Sequence, residues 1–124
     1  MVDLFGDDVP AKLTNDRPEA AALVEVLLTL RAHPMVAWAE RMNSGAVRIG
    51  GRFVRFGWTG CPDVLGQLLD GRLLGVEVKA AKGRLRPEQT IFLERIRAAG
   101  GVAFMARDCR DVFFNLDIAG GKQA

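Results

Sequence analysis

The sequence predicts an α/β (α+β) domain in which a mixed β-sheet is flanked by helices, in the order α-β-β-β-α-β. An apolar helical segment comes first, alternating apolar and polar runs follow it, and a second helical segment precedes a continuous apolar run. With 124 residues, the chain is long enough for one hydrophobic core and short for two. We therefore expect a single domain over residues 16–118, with a flexible N-terminal arm at 1–15 and a frayed tail at 119–124.

The first helix is predicted to begin at Asp16 or Arg17. Pro18 and Glu19 are both favoured in a first helical turn. The helix should end before His33, because a residue that precedes proline disfavours helical backbone. Its body, AAALVEVLLTLRA, is apolar nearly all round, which predicts deep packing.

Two β-hairpins are predicted after this helix. The segment GAVRIGGRFVRFG has Gly50-Gly51 between two alternating runs, which is a typical two-residue turn. The runs PDVLGQLL and RLLGVEVKA flank Asp70-Gly71 and form the second hairpin.

The second helix is predicted to begin at Pro87 and to end before Gly100-Gly101. The run GVAFMAR suits a buried strand, and a strand that follows such a helix commonly lies parallel to the previous strand. The remaining tail, RDVFFNLDIAGGKQA, predicts a short helix or a loop.

Composition excludes several classes of protein. The apolar stretch from Ala20 to Leu30 contains Glu25 and is too short to cross a bilayer, so no membrane partner is expected. Two cysteines and one histidine, without a CxxC motif, cannot form a structural zinc site unless several carboxylates join them. We expect reduced thiols in a cytosol-like compartment. A net charge of +2 does not by itself identify a nucleic-acid-binding protein.

Charged groups stand inside the extended runs of the second hairpin. In its second strand, alternation puts Glu77 and Lys79 on one face and apolar residues on the other. A two-residue turn would put Asp63 on the opposite face from Glu77, whereas a three-residue loop would put the two acids directly opposite each other. Because Gly71 stands where a three-residue loop needs a left-handed residue, we predict that loop, or an equivalent bulge next to Asp63.

Two carboxylates on one face of a sheet repel each other, and a divalent cation removes this repulsion. Oxygen ligands favour hard ions, so Asp63 and Glu77 predict Mg²⁺ or Mn²⁺, and the carbonyl group of Val78 can add a further oxygen. Lys79 can stabilise charge or position a nucleophile, although a structural ion pair between Glu77 and Lys79 is the alternative. Gln89, which should face inward near the start of the second helix, can reach the same site.

This pattern resembles that of the PD-(D/E)xK nuclease superfamily, through Pro62-Asp63 and the ExK motif at residues 77–79. More narrowly, the chain resembles the VRR-NUC domain, the virus-type replication-repair nuclease module. The matching features are G-x-PD, a glycine-containing hairpin, ExK, a basic turn followed by Pro87-Glu88-Gln89, and a helix closed by Gly100. The RMNSG segment at residues 41–45 matches the R-x-N-S-G stretch of that family, and the resemblance covers residues 19–107.

The resemblance implies a restriction-endonuclease-like fold and a metal-dependent nuclease that acts on DNA in replication, repair or recombination, in the cytoplasm of a bacterial or phage-infected cell. The catalytic residues that it implies are Asp63, Glu77, Lys79 and Gln89, with the metal on the two acids. The family also contributes one glutamate from the first helix, for which Glu19 is the preferred candidate and Glu25 the rival. Both cannot face the site, because six residues turn an α-helix by about 240° beyond a full rotation.

The expected contacts to DNA come mostly from basic residues: Arg41, Asn43, Arg48, Arg52, Arg55, Lys82, Arg84 and Arg86. Arg41 and Asn43 can instead brace the loop before the first strand. A chain this short has little surface for reading sequence, so we expect cleavage of branched structures such as junctions or flaps, and a homodimer would suit a four-way junction. The alternatives are a non-catalytic DNA-binding or assembly subunit and a nuclease whose activity depends on a larger complex.

Overall fold

The computed structural model describes residues 17–42 and 45–122, so the predicted N-terminal arm and Asn43 lie outside the described residues. In chain order, the elements are α1 (Arg17–Ala32), β1 (Val36–Arg41), β2 (Gly45–Ile49), β3 (Arg52–Phe56), β4 (Val64–Leu68), β5 (Leu73–Val78), α2 (Pro87–Ala98), β6 (Val102–Ala106) and α3 (Cys109–Ala119). A mixed four-stranded sheet is flanked by helices, which confirms the predicted fold class.

The four-stranded sheet has the strand order β1-β4-β5-β6. The β1–β4 and β4–β5 pairs are antiparallel, and the β5–β6 pair is parallel. Helix α2 forms the crossover that a parallel pair requires, so the predicted direction of β6 is confirmed.

Each face of the sheet has its own apolar cluster. Leu74, Val76 and Val78 of β5 belong to a cluster with residues of α1 and α3. The opposite face packs against α2, through residues such as Phe92 and Ile96. Because side chains alternate along a strand, Glu77 and Lys79 lie on the face that α2 covers.

The structure has more strands than the predicted order, because five strands precede α2 among the residues that it describes. The pairing of β1 with β4 is irregular between Val36 and Trp38, so the alternation that identifies a strand is broken there. The β2–β3 hairpin forms at Gly50-Gly51 as predicted, but it is a separate two-stranded sheet.

Helix α1 has the predicted bounds, but the prediction of deep packing all round is wrong. Its buried side carries Val26 and Leu30, whereas Val24 and Leu28 are 59% and 60% exposed. The sheet therefore covers one side of α1 only. In the ranges that the structure describes, no helix is long and apolar enough to cross a membrane.

Candidate active site

The β4–β5 hairpin has the three-residue loop that the sequence predicts. Val64 pairs with Val76, and Gly71 adopts a φ of 95°, in the left-handed region that favours glycine. Continuing this register by one residue beyond Val64 places Asp63 opposite Glu77, at the open end of the hairpin.

The side chain of Asp63 takes the place of a backbone carbonyl group as the hydrogen-bond acceptor at the end of the β4–β5 ladder. Its Oδ2 atom accepts a hydrogen bond from the Val78 N–H at 2.8 Å. In the continued register Val78 pairs with Pro62, which has no N–H and cannot donate to the Val78 carbonyl oxygen. That carbonyl oxygen, the third predicted metal ligand, therefore lacks the ladder hydrogen bond that another residue at position 62 would give it.

Glu77 is a buried acid with incomplete hydrogen bonding. The residue is 3% exposed, and its Oε1 atom accepts a hydrogen bond from Gln89 Nε2 at 3.1 Å. Lys79 Nζ lies 3.9 Å from the same oxygen, which is an ion pair but too long for a hydrogen bond. In the described chain Oε2 is buried and has no hydrogen-bond partner.

Burial and then the neighbouring Asp63 raise the pKa of Glu77 from 4.5 to about 8, although Lys79 acts in the opposite direction. Without a bound metal ion, this environment therefore favours the protonated form of Glu77. Burial, followed by the same two acids, also raises the pKa of the Cys61 thiol to about 11. The two acids that meet here carry oxygen atoms, the ligand type that Mg²⁺ and Mn²⁺ prefer.

Gln89 links α2 to the sheet. Its Oε1 atom accepts a hydrogen bond from the Arg86 N–H at 2.9 Å and so caps the helix, while its amide nitrogen donates to Glu77. Gly60 lets the segment that leads into β4 approach the same helix end, because a Cβ atom there would lie 2.3 Å from the Glu88 carbonyl oxygen. Gln89 therefore contacts Glu77, as predicted, and its part in catalysis stays a prediction.

A cavity of about 260 Å³ lies beside Asp63, and its lining residues are Glu19, Ala20, Leu23, Arg41 and Asp63. Glu25 is elsewhere, because its carboxylate accepts a hydrogen bond from the Cys109 N–H at 3.3 Å. Among the described residues, no group of three or more His, Cys, Asp or Glu side chains is arranged to hold a metal ion. Glu19 thus shares the cavity with Asp63 without completing a three-carboxylate cluster.

Apart from Arg41, the predicted DNA-binding residues with described side chains fall in two regions. Arg48 and Arg52 are exposed on the β2–β3 hairpin. Three further exposed residues, all in the loop between β5 and α2, are Lys82, Arg84 and Arg86. The side chain of Arg55 lies outside the described part of the structure, as does Asn43.

A larger cavity, of about 510 Å³, lies at the other end of β5, between Leu73 and the C-terminal half of α2. None of the candidate catalytic residues lines it. Cavity size therefore does not identify the candidate site, which is defined by its buried charges.

Two residues shape the site in ways that the sequence pattern does not predict. The missing N–H of Pro62 matters only through its pairing with Val78, so its effect can be deduced once the register is known. The close approach at Gly60 depends on how the chain packs against α2, and no local pattern encodes it. Comparison with protein-family models, with curated proteins and with solved structures finds no match to this chain.

Proposed function

We propose that this chain is a Mg²⁺- or Mn²⁺-dependent DNA nuclease of the PD-(D/E)xK superfamily and of the VRR-NUC type. The observation that carries the proposal is the buried Oε2 atom of Glu77, which has no partner in the described chain and belongs to an acid that lies beside Asp63. A buried acid beside a second acid is stable when it is protonated or when a cation compensates its charge, and a metal site would use the second possibility.

The residues of the site suit a hard divalent ion. Asp63, Glu77 and the Val78 carbonyl group would hold it with oxygen atoms only. When bound, the ion supplies Lewis-acid polarisation of a phosphoryl oxygen and of a water molecule. Gln89 donates to Oε1 of Glu77 and so leaves Oε2 for the ion.

The other residues act on the phosphate and on the water. Hydrolysis forms a bond from the water oxygen to phosphorus and breaks the bond from phosphorus to the leaving oxygen, which takes up a proton. Lys79 offsets the negative charge that develops on the phosphoryl oxygens. We assign Glu19 to orienting the water, and Arg41 to a neighbouring phosphate, since both line the cavity beside Asp63.

Both cysteines are free, which suits an enzyme of the reducing cytoplasm, and we propose branched DNA as its substrate. The test incubates the protein with four-way junction, flap, single-stranded and duplex DNA, in Mn²⁺ and in EDTA. We expect cleavage only with the metal. The cleavage rate of Asp63→Ala should be lower by a factor of about 100 or more. Asp70→Asn, at the other end of the same hairpin, is the matched control and should keep full activity. No metal-dependent cleavage of any substrate, or equal cleavage by Asp63→Ala, would contradict the proposal.

A non-catalytic DNA-binding or assembly subunit is the second candidate. It is favoured by the arrangement of the described acids, of which only two converge. Titration calorimetry with Mn²⁺ separates the two functions. A nuclease should show heat of binding that Asp63→Ala removes, whereas a binding subunit should show no heat that depends on this carboxylate.

A further inference from the structure

The β2–β3 hairpin stands apart from the rest of the fold. It forms its own two-stranded sheet, and the extensive contacts of its strands are with each other in the described chain. A two-stranded hairpin has little stability of its own in water. Its exposed apolar residues include Ile49 and Phe53, at 60% and 71% exposure. This hairpin therefore presents a surface for a partner.

The charge of this surface favours a polyanion. The sequence has no Asp or Glu between Glu40 and Asp63, but it has four arginines in that interval, at positions 41, 48, 52 and 55. The Arg48 guanidinium lies 4.6 Å from the centre of the Phe53 ring, opposite it in the strand register. Stacking on a ring holds a guanidinium in place while its edge can still donate hydrogen bonds to phosphate or to a base.

The shape of the hairpin suits a groove. Each strand has five residues, which corresponds to a length of about 16 Å. The tip consists of Gly50-Gly51, with φ values of 56° and 78° and no side chain. The major groove of B-DNA is wide enough for a two-stranded ribbon, whereas the minor groove is about half as wide.

The segment that carries the hairpin is inserted in the chain between two residues of the candidate site region. The chain leaves the main sheet after Arg41 and returns at Asp63, and the Met42 N–H donates to the Asp63 carbonyl oxygen at 2.7 Å. A duplex held by the hairpin would therefore be bound by an insertion whose flanking residues, Met42 and Asp63, are hydrogen-bonded to each other.

We propose that the β2–β3 hairpin is a DNA-binding ribbon that enters the major groove of duplex DNA beside the candidate active site. This deepens the proposed function, because it makes a duplex arm the part of the substrate that is held next to the bond to be cut. The position of that cut rests on the proposed function, but the binding does not.

The test measures binding by fluorescence anisotropy in EDTA, with a labelled duplex and a single strand of the same length. Arg48→Ala combined with Arg52→Ala should weaken duplex binding about tenfold or more and lower the slope of log Kd against log salt by about two. Binding of the single strand should change much less. The control combines Arg110→Ala with Lys122→Ala, which removes the same charge from exposed positions on and after α3 and should change neither quantity.

A third variant, Arg48→Lys with Arg52→Lys, separates charge from folding, since it should keep the salt dependence and lose only part of the affinity. The proposal fails if the double alanine variant binds duplex like the control. It also fails if that variant keeps duplex binding but changes the oligomeric state in sedimentation, because the hairpin then contacts a second copy of the chain. Duplex binding that depends on the hairpin arginines, without any cleavage, would contradict the proposed nuclease activity and still support the proposed DNA-binding ribbon.

Discussion

The two ends of the β4–β5 hairpin carry acids in opposite environments. At the turn, Asp70 is exposed, and its Oδ2 atom accepts a hydrogen bond from Arg72 Nε at 2.8 Å. Hydrogen bonds from Arg72 hold the pKa of Asp70 below its ordinary value. At the open end, burial and the neighbouring Asp63 raise the pKa of Glu77 to about 8. One register produces both ends, but within the described part of the chain only the turn gives its acid a cation at hydrogen-bond distance.

The difference shows which end of the hairpin lowers the stability of the fold. A paired and exposed acid is stable in its charged form, whereas a buried acid beside a second acid is stable only when protonated or when a cation joins it. Perturbed acids of the second kind cluster at functional sites. If the open end is a metal site, neutralising either acid there should reduce activity and spare or improve stability, whereas neutralising Asp70 at the turn should change both very little.

The largest effect is expected for Asp63→Asn. The new amide oxygen can still accept the hydrogen bond of the Val78 N–H, but the charge beside Glu77 is removed. Cleavage should fall about 100-fold or more, because one metal ligand loses its charge. In EDTA the melting temperature should stay equal or rise, because the repulsion between the two acids disappears.

The measurement for this variant combines cleavage rates with melting curves, each with and without Mn²⁺. Wild-type protein should be stabilised by the ion, whereas the variant should not. Equal stabilisation of both proteins by Mn²⁺ would place the ion elsewhere and remove the contrast between the two ends.

Glu77→Gln tests the pH dependence of stability in the absence of metal. The pKa of Glu77 is about 8 in the folded chain and near 4.5 when unfolded. Between these values the folded state binds the extra proton, so stability falls as pH rises, by up to about 1.4 kcal/mol per pH unit. Glutamine removes this slope and should make the variant the more stable protein above neutral pH.

Urea unfolding in EDTA, at about pH 5 and about pH 8, measures the slope for Glu77→Gln. The control is Glu94→Gln, which removes an exposed acid of α2 that pairs with Arg97 and should leave the slope unchanged. Parallel pH profiles for wild type and Glu77→Gln would show that Glu77 is ionised in the folded protein without a metal ion.

A smaller effect is expected for Gln89→Ala. The change removes the cap on the Arg86 N–H and the hydrogen bond to Glu77, and should destabilise the fold by about 1–2 kcal/mol. Because Glu77 loses its orientation, cleavage should fall about tenfold and half-maximal activity should need more Mn²⁺. Thr90→Ala, at the exposed neighbouring position, is the control. An unchanged metal requirement would show that Gln89 caps the helix without orienting Glu77 for the metal.

The sequence predicts the site better than the whole sheet, for physical reasons. Gly71 fixes the turn and alternation fixes the faces, so the meeting of Asp63 with Glu77 follows from local rules. Local rules do not say what a strand pairs with, and the β2–β3 hairpin is therefore found as a hairpin but not as a separate sheet. The exposure of Leu28 is decided by how many elements surround α1, which also lies beyond any local pattern.

The smallest effect is expected for Asp70→Asn, in the turn of the β4–β5 hairpin. Hydrogen bonds from Arg72 lower the pKa of Asp70 from 3.8, so its charged form contributes stability above that value and loses it as pH falls through the folded-state pKa. Because the group is exposed, the loss of melting temperature at neutral pH should be close to the error of measurement, and it should vanish in acid. The difference caused by Glu77→Gln should instead grow towards alkaline pH. Melting curves of both variants across the acid and neutral range check this opposition, and differences of the same sign and pH trend would mean that the two ends of the hairpin are electrostatically alike.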